Sequence, residues 1–340
     1  MVVLNVAMVG SDELAKSIAK AADQRDVHTY VHKEMAGEET RILSIIRPAK
    51  YPERLRPLLN ALSAGQVGLI EVTAVDATLG EALVAFASAG LDHGIAVLNP
   101  PSGGWVDEDQ VKMLFKQAGL GDWSFSSSDG LALRDGLYAL LEGRKEHLRA
   151  LSEAPLVVPV DQHFNVKGIG LVAIGYVQSG ALNVHDELVL LPTEGTGNTK
   201  SLQVMDDDVP TAFAGDRVGI ALRNAKEDQL TGSTVLVRPA VQDKRTNTSI
   251  PLAMTTHSTS SMDLTTSPFQ KRTLAEGDVI HASVDLQFVV GRIQSVEGAT
   301  MTVAWEAPLL IRNHEPPQVV VAQLDAKPRI MGSAKLTFVS

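Results

Sequence analysis

Short apolar runs alternate with helical patterns over the first 150 residues. The runs cover residues 2–9, 41–46, 67–72 and 95–98, with a weaker one at 123–126. The helical patterns cover residues 12–22, 52–63, 78–89, 107–118 and 131–142. This alternation predicts an α/β domain. Asp107 precedes Glu108-Asp109-Gln110 and predicts a helix start with acid at its positive end. Gly90 and Gly119 stand where helix C-terminal glycines belong.

The pattern changes near residue 150. Residues 142–149 read as a charged helix end and linker, and Pro155 then opens a series of short β-like runs at 156–160, 170–177, 187–191, 200–205, 217–222 and 234–238. Their spacing and glycine turns predict a small β-barrel. Residues 241–268 are rich in Ser and Thr, with apolar residues alternating around 250–254. A second set of strands is expected at 279–288, 291–296, 300–305, 318–324 and 333–339. The expected organisation is a multidomain α/β plus β chain: an α/β domain at 1–150, a β-barrel at 151–240 and a second β-barrel at 241–340.

Composition narrows the classes. A chain of 340 residues holds two or three domains at roughly 150 residues each. Aromatics are 4%, so aliphatic side chains must build the cores. The net charge of -10 argues against a generic cationic nucleic-acid binder and against DNA as a partner. With no cysteine, disulfides and thiolate metal sites are excluded. The first apolar run is short, has no basic flank and ends in a glycine turn, unlike a signal peptide. No apolar run approaches the ~20 residues of a membrane span. A cytoplasmic protein without membrane contact is expected.

The chemistry begins at the end of the first run. Gly10-Ser11-Asp12-Glu13-Leu14-Ala15-Lys16-Ser17 is the phosphate-loop pattern G-x-x-x-x-G-K-[ST] with Ala15 in place of its second glycine. Lys16 and Ser17 keep the residue types that contact phosphate and Mg²⁺. Ala15 adds a Cβ where backbone must approach phosphate, and Asp12 and Glu13 add negative charge. The alternative reading is an ordinary helix start, with Ser11 as cap and acids in the first turn. An inherited, weakened loop is favoured over chance; working phosphate binding is the lesser half of that reading. His28 and His32 lie in a β-like stretch and do not make a metal site, and Asp206-Asp207-Asp208 reads as a solvated turn before Pro210. No metal site and no catalytic residue is expected.

The barrel segments carry a resemblance. Phe164-Asn165-Val166-Lys167-Gly168-Ile169-Gly170 is similar to an F-x-V-K-G-x-G segment, and Gly175-Tyr176-Val177-Gln178-Ser179-Gly180 to a G-x-V-x-S-G turn. Asp186 to Pro192 is similar to a D-x-L-x-L-x-P strand, and Ser201 to Val204 and Ala214 to Gly219 continue in register. Pro328 to Ala334 resembles a final R-x-x-G-x-G strand, with Ala334 for a glycine. Together these resemble the elongation factor Tu class of translational GTPases, above all its selenocysteine-specific branch of archaeal type. The resemblance implies a P-loop GTPase-like domain, then barrels like domains 2 and 3 of elongation factor Tu.

The same resemblance implies that the GTPase boxes are degenerate. Where the family has D-x-P-G-H, this chain has Arg47-Pro48-Ala49-Lys50-Tyr51. Arginine offers donors only and cannot ligate a cation. Switch I is confined to residues 21–40, shorter than in the family. The base-reading N-K-x-D becomes Asn99-Pro100-Pro101-Ser102, which keeps Asn99 and loses the carboxylate that pairs with guanine. Ser126-Ser127-Ser128 resembles the short serine turn of the last box. Gly10, Lys16, Ser17 and Asn99 are therefore the residual nucleotide site.

The resulting expectation is a pseudo-GTPase without cofactor that acts as a binding protein for tRNA, the ribosome or another translation component. In the family, tRNA binds across the barrels and the nucleotide domain. Basic clusters for such a role stand at 144–149, at Lys271-Arg272 and at Lys327-Arg329. Two rivals remain open. One is an unusual NTPase that binds GTP or GDP weakly with Mg²⁺ through Lys16 and Ser17. The other is a protein-docking adaptor without RNA.

Overall fold

A computed structural model describes residues 1–243 and 248–338. The α/β part contains β1 (Val2–Val9), α1 (Asp12–Ile18), β2 (Lys20–Gln24), β3 (Val27–Ala36), β4 (Glu39–Pro48), α2 (Leu55–Ala64), β5 (Val67–Val72), α3 (Ala77–Ser88), β6 (Gly94–Leu98), α4 (Glu108–Ala118), β7 (Ser124–Ser126) and α5 (Gly130–Ser152). Its sheet runs β2-β3-β4-β1-β5-β6-β7. Strands β4, β1, β5, β6 and β7 are parallel, and β2 and β3 add an antiparallel edge. Near-continuous apolar runs in β1 and β5 fit strands buried on both faces. On one face Leu58, Leu62, Leu83, Phe86, Phe115 and Trp123 form the core. On the other, Leu14, Ile18, Leu133, Leu137 and Leu141 do.

Two expectations in this domain are corrected. Residues 12–22 are not one helix: α1 stops at Ile18, and residues 20–24 pair with β3 from Lys20↔Val31 onward. Edge-strand hydrogen bonds override the helical propensity of Lys20-Ala21-Ala22. The last helix does not end at 142 but runs to Ser152, so residues 142–149 are helix rather than linker. Leu148 continues the buried stripe of Leu137 and Leu141, which holds that extension against the sheet.

The first barrel comprises β8 (Val157–Val166), β9 (Gly170–Tyr176), β10 (Leu182–Asn183), β11 (Glu187–Leu191), β12 (Gly195–Val204), β13 (Asp207–Val209), β14 (Thr211–Ala212), β15 (Arg217–Arg223) and β16 (Val235–Val237). β11, β16, β8, β9, β15 and β12 close a ring through the β11–β12 pairing. A two-stranded pair, β17 (Val241–Asp243) and β18 (Thr248–Ile250), follows. β19 (Met254–Thr266), β20 (Val279–Val284), β21 (Gln287–Glu297), β22 (Thr300–Arg312), β23 (Val319–Ala322) and β24 (Ile330–Phe338) form the second closed barrel, in the order β19-β22-β21-β20-β23-β24. The run 279–288, expected as one strand, is a hairpin turning at Asp285 and Leu286, whose φ values are 45° and 59°. Val339, the expected end of the last strand, lies outside the described residues.

The three parts share apolar contacts. Val320, Ala322 and Ile330 of the second barrel enter the core beneath α3. Ile46 and Ala61 meet Tyr176 of the first barrel and Leu286 of the second. This joint is a small core in its own right.

Candidate functional site

The parallel strands deliver their C-terminal ends to one edge of the sheet, where α/β folds place ligands. β1 ends there at Val9, paired with Ile70 of β5. Ser11 caps α1 by accepting from the Leu14 amide at 3.1 Å. The helix begins at Asp12, so Ala15, Lys16 and Ser17 lie inside it rather than behind an open loop. The Ala15 amide donates to Ser11 O at 3.3 Å, and Ala15 O accepts from the Ala19 amide at 3.0 Å. A phosphate cradle requires amides free to face an anion; the Ala15 amide is already spent within the helix.

Lys16 pairs with Asp12 at 2.5 Å, four residues earlier on α1. Lys16 holds the Asp12 carboxyl below the usual range, and a hydrogen bond from the Tyr30 hydroxyl adds to this. Burial pushes Tyr30 itself up to about 12, helped by the adjacent Asp12 charge. Ser17 Oγ donates to Leu14 O at 2.7 Å, and Ser17 O accepts from Arg134 at 3.1 Å. Both residues of the motif that touch phosphate and metal are thus engaged in local contacts.

An internal carboxylate stands at the loop instead. Glu71, on β5 and 8% exposed, accepts from the Ser11 amide at 2.5 Å and from Asn99 Nδ2 at 2.6 Å. Its approach depends on Gly10: a Cβ there would lie 2.9 Å from Glu71 Cβ and 3.0 Å from Glu71 Oε2. Arg47 Nε donates to Gly10 O at 2.7 Å. Tyr51 donates to Thr78 O at 3.1 Å, and burial raises its hydroxyl well above the usual range. A cavity of about 270 Å³ adjoins this cluster, lined by Gly10, Ser11, Arg47, Tyr51 and Glu71 among others, with no contribution from Lys16 or Ser17.

The structure therefore gathers Gly10 and Asn99 around Glu71 and leaves Lys16 and Ser17 on the helix beside them. Glu71 escaped the sequence reading, although one signal was present: it is the lone carboxylate in the apolar run Val-Gly-Leu-Ile-Glu-Val. His32 is bonded to the Tyr138 hydroxyl at 2.8 Å, and its pKa is lowered by burial and by Arg134. Asp207 is exposed and lies 3.5 Å from Lys33.

The basic clusters divide. Lys145 is bonded to Glu39 and Glu142, and Arg144 is half-buried, with desolvation lowering its pKa. Arg144 and Lys145 are thus taken up against the rest of the α/β part, while Arg149 is exposed. In the last barrel, Gln270 bonds Pro328 O at 2.9 Å and Ile330 O at 3.2 Å, which brings Lys271 and Lys327, both exposed, onto adjacent segments. Arg329 turns inward: its Nε donates to Glu81 Oε2 at 2.9 Å and its Nη2 to Pro52 O at 2.8 Å. Arg217 of the first barrel reaches Asp23 at 3.1 Å and Asp161 at 3.3 Å. An opening of about 950 Å³ lies where all three parts meet. A cleft of about 650 Å³ separates β2 and β3 from the first barrel, with Lys33, Phe164, Ile169 and Arg217 on its walls.

Comparison with known proteins follows this architecture. Residues 170–237 match the family described as elongation factor Tu domain 2. An uncharacterised protein of Methanocaldococcus jannaschii is 25% identical over 334 residues, covering 98% of this chain and 99% of its own length. The selenocysteine-specific elongation factor of the same organism is 38% identical over 81 residues, 24% of this chain and 17% of that factor. The solved structure of translation elongation factor SelB from Methanococcus maripaludis, bound to the GTP analogue GppNHp, superposes with a TM-score of 0.74 at 18% identity, over 100% of this chain and 80% of that one. At that identity the last match speaks for fold. The first barrel is thus similar in sequence to elongation factor Tu domain 2, and the whole chain shares the fold of the selenocysteine-type elongation factor structure.

Proposed function

We propose that this protein is a pseudo-GTPase of the translation-factor type, working as a binding protein for RNA of the translation machinery without a nucleotide cycle. The observation that carries this reading is the Glu71 carboxylate on the Ser11 amide, beside a helix that absorbs Ala15, Lys16 and Ser17. An anion already holds the amide that a phosphate would need, and Asp12 neutralises the lysine. Arg47, where the family holds Mg²⁺ through aspartate, supplies donors and adds positive charge. Phosphoryl transfer rests on metal and electrostatic positioning, so these replacements argue against hydrolysis. The closed barrels, with Lys271 and Lys327 on adjacent exposed segments, support a retained RNA-binding role.

Two measurements test the reading. Calorimetry with GTP and with ATP, each with and without Mg²⁺, is expected to show weak binding or none and no preference for guanine. Submicromolar GTP affinity with rejection of ATP would overturn the pseudo-GTPase half. Gel-shift titration with aminoacylated and uncharged tRNA tests the other half: binding should weaken with salt and in Lys271→Ala/Lys327→Ala. No binding to either tRNA would overturn it.

A further inference from the structure

The three tryptophans of the chain behave differently. Trp123 is buried against Phe86 and Phe115, and its indole donates to Leu91 O at 3.0 Å. Trp305 is buried, and its indole donates to Ser260 Oγ at 2.9 Å. Trp105 is 80% exposed, and among the described residues it has no hydrogen-bond or ring partner. An indole is both a large apolar surface and a donor, and it is normally covered.

Its loop presents it in a defined way. Gly104 N donates to Pro101 O at 2.7 Å, forming a tight turn, and Gly103 adopts φ 82°. Val106, the next residue after Trp105, packs against the core. Trp105 is thus held between two fixed points. Val75, 40% exposed, sits on the neighbouring loop after β5, because β5 and β6 are adjacent and end together at Val72↔Leu98.

The loops that carry Trp105 and Val75 are acidic. The loops after β5, β6 and β7, residues 73–77, 99–110 and 126–130, contain Asp76, Asp107, Glu108, Asp109 and Asp129 and no lysine or arginine, whereas Lys50 and Arg54 stand farther along the same edge, after β4. The nearest cation along α4, Lys112, pairs with Glu108 at 2.7 Å. Asp109 is exposed, and its charge acts on Lys112 without forming a close ion pair. Such a surface repels a phosphate backbone, so RNA is disfavoured here whatever the barrels bind. It suits a cationic side chain stacking on an indole while neighbouring cations meet carboxylates.

We infer that the loop edge around Trp105 is a docking surface for a basic polypeptide segment of a protein partner. A cationic or apolar side chain of that segment covers Trp105 and Val75, and its Lys or Arg neighbours face Asp109 and the adjoining acids. The reading is independent of RNA binding by the barrels.

The test uses the full chain and a synthetic dodecapeptide of alternating arginine and leucine. Controls are the glutamate–leucine counterpart and a twelve-nucleotide oligouridine. Because Trp123 and Trp305 are buried, a change in tryptophan emission on titration reports Trp105. The arginine peptide is expected to bind saturably and the glutamate peptide not at all. Trp105→Ala, which exposes no core, is expected to weaken binding, followed by anisotropy of a labelled peptide, at least about tenfold, close to 1.4 kcal/mol. Asp109→Lys should weaken it similarly, whereas Glu187→Lys, an equal charge change on an exposed position of the distant barrel, should leave it within about twofold. Equal loss in Glu187→Lys would reduce the effect to net charge and overturn the proposal. So would unchanged affinity in Trp105→Ala, tighter binding of oligouridine quenched through Trp105, or self-association abolished by Trp105→Ala.

Discussion

At the scale of single residues, Glu71 shapes the site more than any motif residue. It satisfies the Ser11 amide and the Asn99 side chain together. Glu71→Ala leaves two donors unmet in a mostly buried place, which should lower stability by about 2–4 kcal/mol in urea unfolding. Glu71→Gln keeps an acceptor for one donor and should cost about 1 kcal/mol. Equal, negligible effects would mean that the carboxylate is incidental to the loop. A second residue sets a pH dependence. Asp216, 5% exposed, is pushed by burial from 3.8 up to about 6. Its folded pKa lies above its unfolded one, so its contribution is fully favourable below about pH 4 and is lost as pH rises through 6. The difference of about two pKa units corresponds to roughly 3 kcal/mol. Asp216→Asn still accepts from the Phe213 amide, a bond of 2.8 Å in the wild type. Its stability relative to wild type should therefore improve steadily between pH 4 and 7, as read by thermal unfolding at each pH; a flat difference would contradict this.

At the scale of elements, α5 contains two glycines with opposite expectations. Gly130 starts the helix against α1, and a Cβ there would lie 2.3 Å from Ser17 O, a backbone atom. Gly130→Ala must displace one helix end and should cost about 1–3 kcal/mol. Gly143, mid-helix, has open space around its missing Cβ. Gly143→Ala should stabilise by about 0.5–1 kcal/mol, because glycine carries an entropic penalty in a helix. Denaturant midpoints of the two variants should fall on opposite sides of the wild type. The β2–β3 edge makes a related point: a segment with helical composition becomes a strand because β3, itself paired with β4, offers it an edge to extend. That hairpin then supplies Asp23 to Arg217, which joins the α/β part to the first barrel.

At the scale of the whole molecule, the three parts are bound by side chains that reach between the barrels and the α/β part. Arg329 and Glu81 form the tie between α3 and the second barrel, and Glu81 is 8% exposed. Arg329→Ala strands a buried carboxylate and should destabilise by about 3–5 kcal/mol, with the second barrel unfolding at lower temperature than the rest. Asn5 donates to Gly215 O at 2.7 Å and Gln178 to Ser63 O at 2.8 Å, so the first barrel is tied as well. A ligand shifts a conformational equilibrium only through different affinities for its states. If Glu71 on the loop and Arg47 on Gly10 O replace the phosphate contacts, as the proposed function holds, GTP and GDP are expected to lack a differential contact. Solution scattering should give the same radius of gyration with GTP–Mg²⁺, with GDP–Mg²⁺ and with neither. A nucleotide-dependent change that vanishes in Lys16→Ala would show a surviving switch.

Periodicity and turn chemistry determined the order of the parts. Runs such as 2–9 and 67–72 coincide with β1 and β5, and 187–191 with β11, because local alternation and glycine placement are properties of neighbouring residues. The same locality left the motif at Gly10–Ser17 open to two readings, a loop or a helix start. Tertiary structure alone decided between these geometries, since the deciding group, Glu71, lies 60 residues from Ser11. It also decided that Arg329 joins Glu81 across 248 residues rather than facing solvent with Lys327. Charge pairing across such separations leaves no pattern along the chain: a carboxylate's partner depends on which strands end side by side, and only the folded sheet brings them together.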